Sequence, residues 1–373
     1  MIVKSQEVNK LKIVKCSYVF GALIYCIICL SGCNDTDRVI YQNKTFDDVY
    51  SFANNNHKPF CIVLTDSVQN LSKEYSLLLQ TKYNFLADKA IFNIIETNSL
   101  DNEWYVKWLC PVSIPLTCVF SVDGTLVDLI PGAARETFLY TEEALKNMAP
   151  TDFHWINQFG INKKTAIPQL NNVLKHKRYL DQDVFYASSE LEELVQSLNY
   201  PYPHYLKLVS ELMENDTIAS KKTAQSMIGI ETPYYLDLYK NEFITAKQVL
   251  NPNFDVHNEP NIRVDQDRIT LNNCELKKST PVEVVVYNDG KQPLKIPKIH
   301  ASCSCVRQLN YTDEFMVNAK DSVILKFDFT PDVEGEISRD VYITSNAINM
   351  PILHVAILVK SNNQVIKSKL NLN

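Results

Sequence analysis

Between residues 45 and 150 the apolar positions come in short unbroken runs separated by stretches of helical period. Residues 60–64, Phe-Cys-Ile-Val-Leu, follow Lys58-Pro59 without a polar interruption and read as a buried strand. A helical pattern comes next. Residues 90–96 then give a second strand, 103–109 a short helix and 116–121 a third strand, which turns at Asp123-Gly124 into 125–130 as a hairpin. Such alternation ending in a hairpin predicts an α/β layer fold.

From 151 to 250 the period is helical. Ser189-Glu190-Leu191-Glu192 has capping-box spacing, and Leu191, Leu194, Val195 and Leu198 then recur on one face. Tyr205, Leu208, Val209 and Leu212 repeat that spacing after Pro203, a helix-start signal. Pro203-His204-Tyr205-Leu206-Lys207-Leu208 echoes Pro233-Tyr234-Tyr235-Leu236-Asp237-Leu238, but two copies fall short of the repeats a solenoid needs. The segment is predicted to be a helical connector whose tyrosines pack between helices. After about residue 261 the period is two: Val323, Leu325, Phe327 and Phe329 share one face, Ile324, Lys326, Asp328 and Thr330 the other. Similar runs at 282–287, 294–299, 341–344 and 352–359, with turns at Asp289-Gly290 and around 331–335, predict an immunoglobulin-like β-sandwich over 255–362.

The first 33 residues follow another pattern. Lys4, Lys10, Lys12 and Lys15 precede an apolar run at 16–30, shorter than the roughly 20 residues a span requires, and then Leu30-Ser31-Gly32-Cys33. The basic head and short core read as a signal peptide. Leu-Ser-Gly-Cys resembles the lipobox of bacterial lipoproteins. That resemblance implies cleavage after residue 32, lipidation of Cys33 with a diacylglycerol and an acyl chain, a tether over 33–44, and an outer-membrane anchor facing the periplasm or the cell exterior.

Cleavage leaves 341 of the 373 residues, enough for two or three domains. The formal charge of −6 falls to about −9 once the basic head is removed, which excludes nucleic acid as a partner. Six further cysteines remain: Cys61, Cys110 and Cys118 early, Cys274, Cys303 and Cys305 late. Three in each half leaves an unpaired thiol in each if the halves fold separately. With eight glycines, the chain carries no Gly-rich phosphate loop, no paired-His metal helix and no Gly-x-Ser-x-Gly elbow.

Lys58-Pro59 and its strand, Val112-Ser113-Ile114-Pro115-Leu116-Thr117 and Val122-Asp123-Gly124 fall in the order found in thioredoxin, which 45–150 resembles. The resemblance implies a cis Ile114-Pro115 junction and a redox Cys-x-x-Cys at the start of the helix after the first core strand. Those two positions fall on Gln69 and Ser72, and no cysteine lies between residues 66 and 80. Neither side chain forms a thiolate, so the expectation is a thioredoxin-like domain without the redox reaction, retained to bind a protein or peptide. Cys61 and Cys118 are expected as buried core thiols.

Late in the chain, Asn288-Asp289-Gly290, Pro293-Leu294 and Ser302-Cys303-Ser304-Cys305 are similar to the pattern of the bacterial envelope family called domain of unknown function 1573, with Ser304 where that family has Gly. Residues two apart on a strand face the same way. Cys303 and Cys305 therefore read in three ways: packing or a local disulfide, a thiol-exchange pair, or a Cu(I) site with His300 as third ligand. Two functions follow, a non-enzymatic binding protein without a cofactor, or a thiol-disulfide or copper-handling protein acting through Cys303 and Cys305.

Overall fold

The structure is a computed structural model that describes residues 38–360 apart from 185, 273 and 334. The expected signal peptide 1–32, the expected lipidation site Cys33 and the first part of the expected tether lie outside the described residues. Among those described, no helix is long and apolar enough to cross a membrane.

The first half is a five-stranded mixed sheet. Its elements are β1 (Ile40–Gln42), α1 (Phe46–Asn55), β2 (Phe60–Thr65), α2 (Asn70–Thr81), α3 (Leu86–Lys89), β3 (Ile91–Glu96), α4 (Glu103–Leu109), β4 (Leu116–Phe120), β5 (Leu126–Pro131) and α5 (Arg135–Asn147). The strand order is β1-β3-β2-β4-β5, with β1, β3 and β2 parallel and β4 and β5 antiparallel. Every position of β2 is buried because both of its faces are covered: Phe60, Ile62 and Leu64 join one core cluster, Cys61 and Val63 another. An unbroken apolar run is what a strand between two helical layers requires.

The helices that follow are α6 (Lys163–Asp181), α7 (Glu192–Ser197), α8 (Pro201–Met213), α9 (Thr217–Gly229), α10 (Pro233–Leu238) and α11 (Lys240–Leu250). Leu170, Val173, Leu206 and Phe243 enter the same cluster as Phe60, Trp108 and Phe120, so this segment covers one face of the sheet. Two sequence expectations need correction. Ser189 caps nothing: residues 188–191 form a 3₁₀ turn, and α7 begins at Glu192 without a side-chain cap. And α8 starts at Pro201, where a proline's missing N–H costs no helical bond, so Pro203 lies within its first turn.

The last part is all β: β6 (Ile262–Val264), β7 (Arg268–Asn272), β8 (Thr280–Asn288), β9 (Leu294–Ile296), β10 (Lys298–Ala301), β11 (Val306–Gln308), β12 (Phe315–Val317), β13 (Ser322–Phe329), β14 (Ile337–Thr344) and β15 (Ile352–Lys360). Two four-stranded sheets, β10-β14-β15-β7 and β11-β13-β8-β6, contribute to one apolar cluster, and β9 pairs with β12. The single strand expected at 294–299 is two. Pro297 lacks the N–H a ladder needs, and the chain changes partners there, β9 pairing with β12 and β10 with β14.

The Asn-x-Gly signature has a structural cause. Asn288 is fully buried; its amide donates to the carbonyls of Gln292, Val317 and Asn318, and its Oδ1 accepts from the N–H groups of Gly290 and Asn261. A Cβ on Gly290 would run into the Glu259 carbonyl oxygen and lie 2.6 Å from the Asn261 nitrogen, so only glycine fits.

Candidate functional site

Two of the positions that the thioredoxin resemblance singles out, Gln69 and Ser72, lie where β2 leads into α2. Gln69 is the N-cap of α2 but caps with no side-chain bond; its amide instead donates to the Asp66 carboxylate at 3.1 Å. Asp66 also accepts from the Val68 N–H at 2.9 Å and from the Asn98 amide at 3.0 Å. Ser72 is 2% exposed, and its Oγ accepts the Asp66 N–H at 3.0 Å. Both side chains therefore brace the loop.

Pro115 is buried, its bond to Ile114 is cis, and its carbonyl accepts the Gly132 N–H at 2.8 Å. The loop and the proline junction meet in one groove of about 310 Å³, lined by Asp66, Leu100, Glu103, Val106, Ile114 and Leu238. Apolar side chains stand exposed on the same segments: Leu100 at 89%, Val68 at 78%, Leu71 at 54% and Val112 at 47%.

Among the described residues no thiol lines this groove. Cys61 and Cys118 are buried in β2 and β4, and burial pushes both far above the ordinary thiol range. Cys110, left-handed at the C-terminus of α4, is pushed up to about 11 by burial, with Tyr234 and Tyr239 hydroxyls at its sulfur pulling slightly the other way. All three stay protonated and unreactive at neutral pH.

Tyrosines have a role the sequence did not reveal. Tyr239 donates to the Lys107 carbonyl at 2.7 Å, Tyr200 to the Trp108 carbonyl at 2.6 Å and Tyr234 to the Pro111 carbonyl at 3.4 Å, closing the carbonyl end of α4 and the residues just beyond it.

The second location is the link between β10 and β11. Residues 302–305 form a turn, not the strand on which two same-facing thiols were expected, because the ladder of β10 ends at Ala301. Cys303 and Cys305 are joined as a disulfide with Cα atoms 5.2 Å apart, while Cys61, Cys110, Cys118 and Cys274 are free. His300 stands exposed on β10 opposite Tyr342. With both sulfurs bonded to each other, His300 gains no thiolate co-ligands, and no group of three His, Cys, Asp or Glu among the described residues is arranged to hold a metal.

Sequence reasoning missed Arg339 on β14, whose Nε donates to Cys305 Sγ at 3.3 Å and whose Nη2 pairs with Asp332 at 3.2 Å. The only signal was weak: a charged pair, Arg339-Asp340, inside an otherwise alternating strand.

None of the curated proteins matches the chain. Among solved structures it is similar to a protein of unknown function from Porphyromonas gingivalis W83, at 14% identity over 30% of this chain with TM-score 0.26; the match spans 50% of that protein's length. It is similar to thioredoxin f from spinach chloroplast, long form, at 18% identity over 29% of this chain and 88% of the other, TM-score 0.25. The ASH / PapD-like domain of human CEP192 gives 11% identity over 30% and 89%, TM-score 0.24. Residues 262–357 match the family described as "Protein of unknown function (DUF1573)", in agreement with the resemblance read from Asn288, Gly290, Cys303 and Cys305.

Proposed function

We propose that the chain is a cell-envelope lipoprotein, anchored to the outer membrane through Cys33, whose α/β layer binds a protein or peptide without catalysing a reaction and without a cofactor. In this reading a thioredoxin-like domain supplies the binding groove, the helices back it, and an immunoglobulin-like sandwich completes the molecule. The carrying observation is the cysteine-free start of α2: Gln69 and Ser72 brace the loop at Asp66, the groove that Asp66 shares with Ile114 keeps Leu100 exposed, and Val68 and Leu71 stand exposed on the adjoining loop and helix start. Exposed apolar groups next to a concave site are what partner recognition uses.

Three measurements test the reading. A Cys274→Ser, Cys303→Ser, Cys305→Ser variant is expected to show no reduction of insulin above background, whereas activity in that variant would reveal a working thiol in the α/β layer and overturn the reading. In cells, a photo-crosslinker at position 100 is expected to trap a protein partner that one at exposed Ile218 does not. For the anchor, Cys33→Ser is expected to release the chain from the membrane fraction.

A further inference from the structure

The two sulfurs of the Cys303–Cys305 disulfide are not equivalent. Cys305 is 9% exposed and its Sγ faces the guanidinium of Arg339 at 3.3 Å; Cys303 is the more exposed of the two. Exchange proceeds by attack on the accessible sulfur, and the sulfur that departs best is the one whose thiolate is stabilised. A guanidinium in contact with a sulfur supplies that stabilisation.

The turn is clamped to both sheets. The Ser302 N–H donates to the Asp340 carbonyl and the Asp340 N–H to Ser302 Oγ, at 2.8 and 2.9 Å, while the Thr330 N–H donates to the Cys305 carbonyl at 2.8 Å. A released Cys305 thiolate therefore stays beside Arg339. Next to the turn lies a groove of about 330 Å³ lined by Ile299, His300, Ala301, Ser304, Val306 and Phe327 among others. It runs along β10 and β11, each the outermost strand of its own sheet among the described residues, so each turns an edge of backbone groups outward, of which the Val306 N–H already donates to the Cys303 carbonyl at 3.4 Å. Such an edge takes an added extended segment through main-chain hydrogen bonds.

We propose that this disulfide captures a cysteine on an extended segment of another protein. The partner thiolate, its proton given to solvent, bonds to Cys303 Sγ; the Cys303–Cys305 bond breaks, and its electron pair leaves on Cys305 Sγ as a thiolate facing Arg339. The product is a mixed disulfide between the partner and Cys303. The protein disulfide is the oxidant and the partner thiol the reductant, so no further reagent enters. A second thiol on the partner, attacking the partner's own sulfur, releases Cys303 and leaves the partner oxidised and this chain as a dithiol. The event goes beyond the binding role of the α/β layer, whose thiols take no part.

The test treats the full chain with reduced glutathione as the thiol probe, measures the initial rate of adduct formation by mass spectrometry and maps the adduct. Glutathione is expected on Cys303. Arg339→Gln is expected to slow the reaction by about fivefold and to raise the Cys305 thiol pKa in the reduced protein, read from thiolate absorbance. Asp332→Asn removes the carboxylate that partly neutralises Arg339, and is expected to speed the reaction by about twofold. That exposed position carries the test should Arg339→Gln fail to fold. An adduct on Cys305, rates that ignore both substitutions, or a native disulfide that resists glutathione while the unfolded chain reacts would each overturn the proposal.

Discussion

His204 shows how far one side chain departs from its ordinary chemistry. It lies in the first turn of α8, 3% exposed, and neither ring nitrogen has a hydrogen-bond partner among the described residues. Burial, with the Lys207 charge nearby, lowers its pKa to about 4, against a smaller opposing pull from Glu192. The unfolded chain takes up the proton near pH 6.5, so between there and about pH 4 the unfolded state binds more protons than the folded one. The folded state is therefore at full strength above that window and loses on the order of 3 kcal/mol as the pH falls through it. Replacing His204 with Phe should flatten this component. Urea midpoints at pH 7 and pH 4.5 are expected to differ more for the native chain than for the variant, and equal differences would show that the ring titrates normally. None of this is legible from the sequence, where Pro203-His204-Tyr205 reads only as a helix start.

At the scale of elements, α4 is a seven-residue helix, too short to be stable alone, and it ends under tyrosine hydroxyls from α10 and from the segments entering α8 and α11. Removing one hydroxyl leaves a buried carbonyl without its donor. Tyr239→Phe is accordingly expected to lower the unfolding free energy by about 1–3 kcal/mol in denaturant titration, with the far-UV spectrum unchanged. A shift indistinguishable from zero would mean that Tyr239 merely packs. The elements themselves were largely readable: β2 and β13 fall where unbroken and alternating apolar runs put them, since burial on two faces or one leaves a direct imprint on residue order. The failures have local causes. The alternation in the sequence runs past the end of β10 into the turn 302–305, Pro297 withholds the N–H that would keep 294–299 one strand, and Ser189 stands inside a 3₁₀ turn three positions before α7 begins.

For the whole molecule, sequence order hides which segments share a core, because the membership of Phe60 and Phe243 in one cluster leaves no mark on either run. The helical stretch was expected to connect two domains, yet it covers the sheet face made by Phe60, Leu64 and Phe120 and reaches into it with charged pairs. Lys107 of α4 meets Glu242 of α11 at 2.9 Å with both side chains nearly buried, Lys163 of α6 meets the fully buried Asp128 of β5 at 2.6 Å, and the Trp108 indole donates to the Leu170 carbonyl at 2.9 Å. Cutting the chain after residue 150 would strip those partners away and expose an apolar sheet face that water penalises at about 25 cal/mol per Å². The fragment 38–150 is therefore expected to aggregate or to unfold without a cooperative transition, whereas 38–254 retains one. Circular dichroism melts of the two fragments decide it: a sharp transition in the shorter piece, close to that of the longer, would mean that the sheet closes its core without the helices and that they are a connector after all.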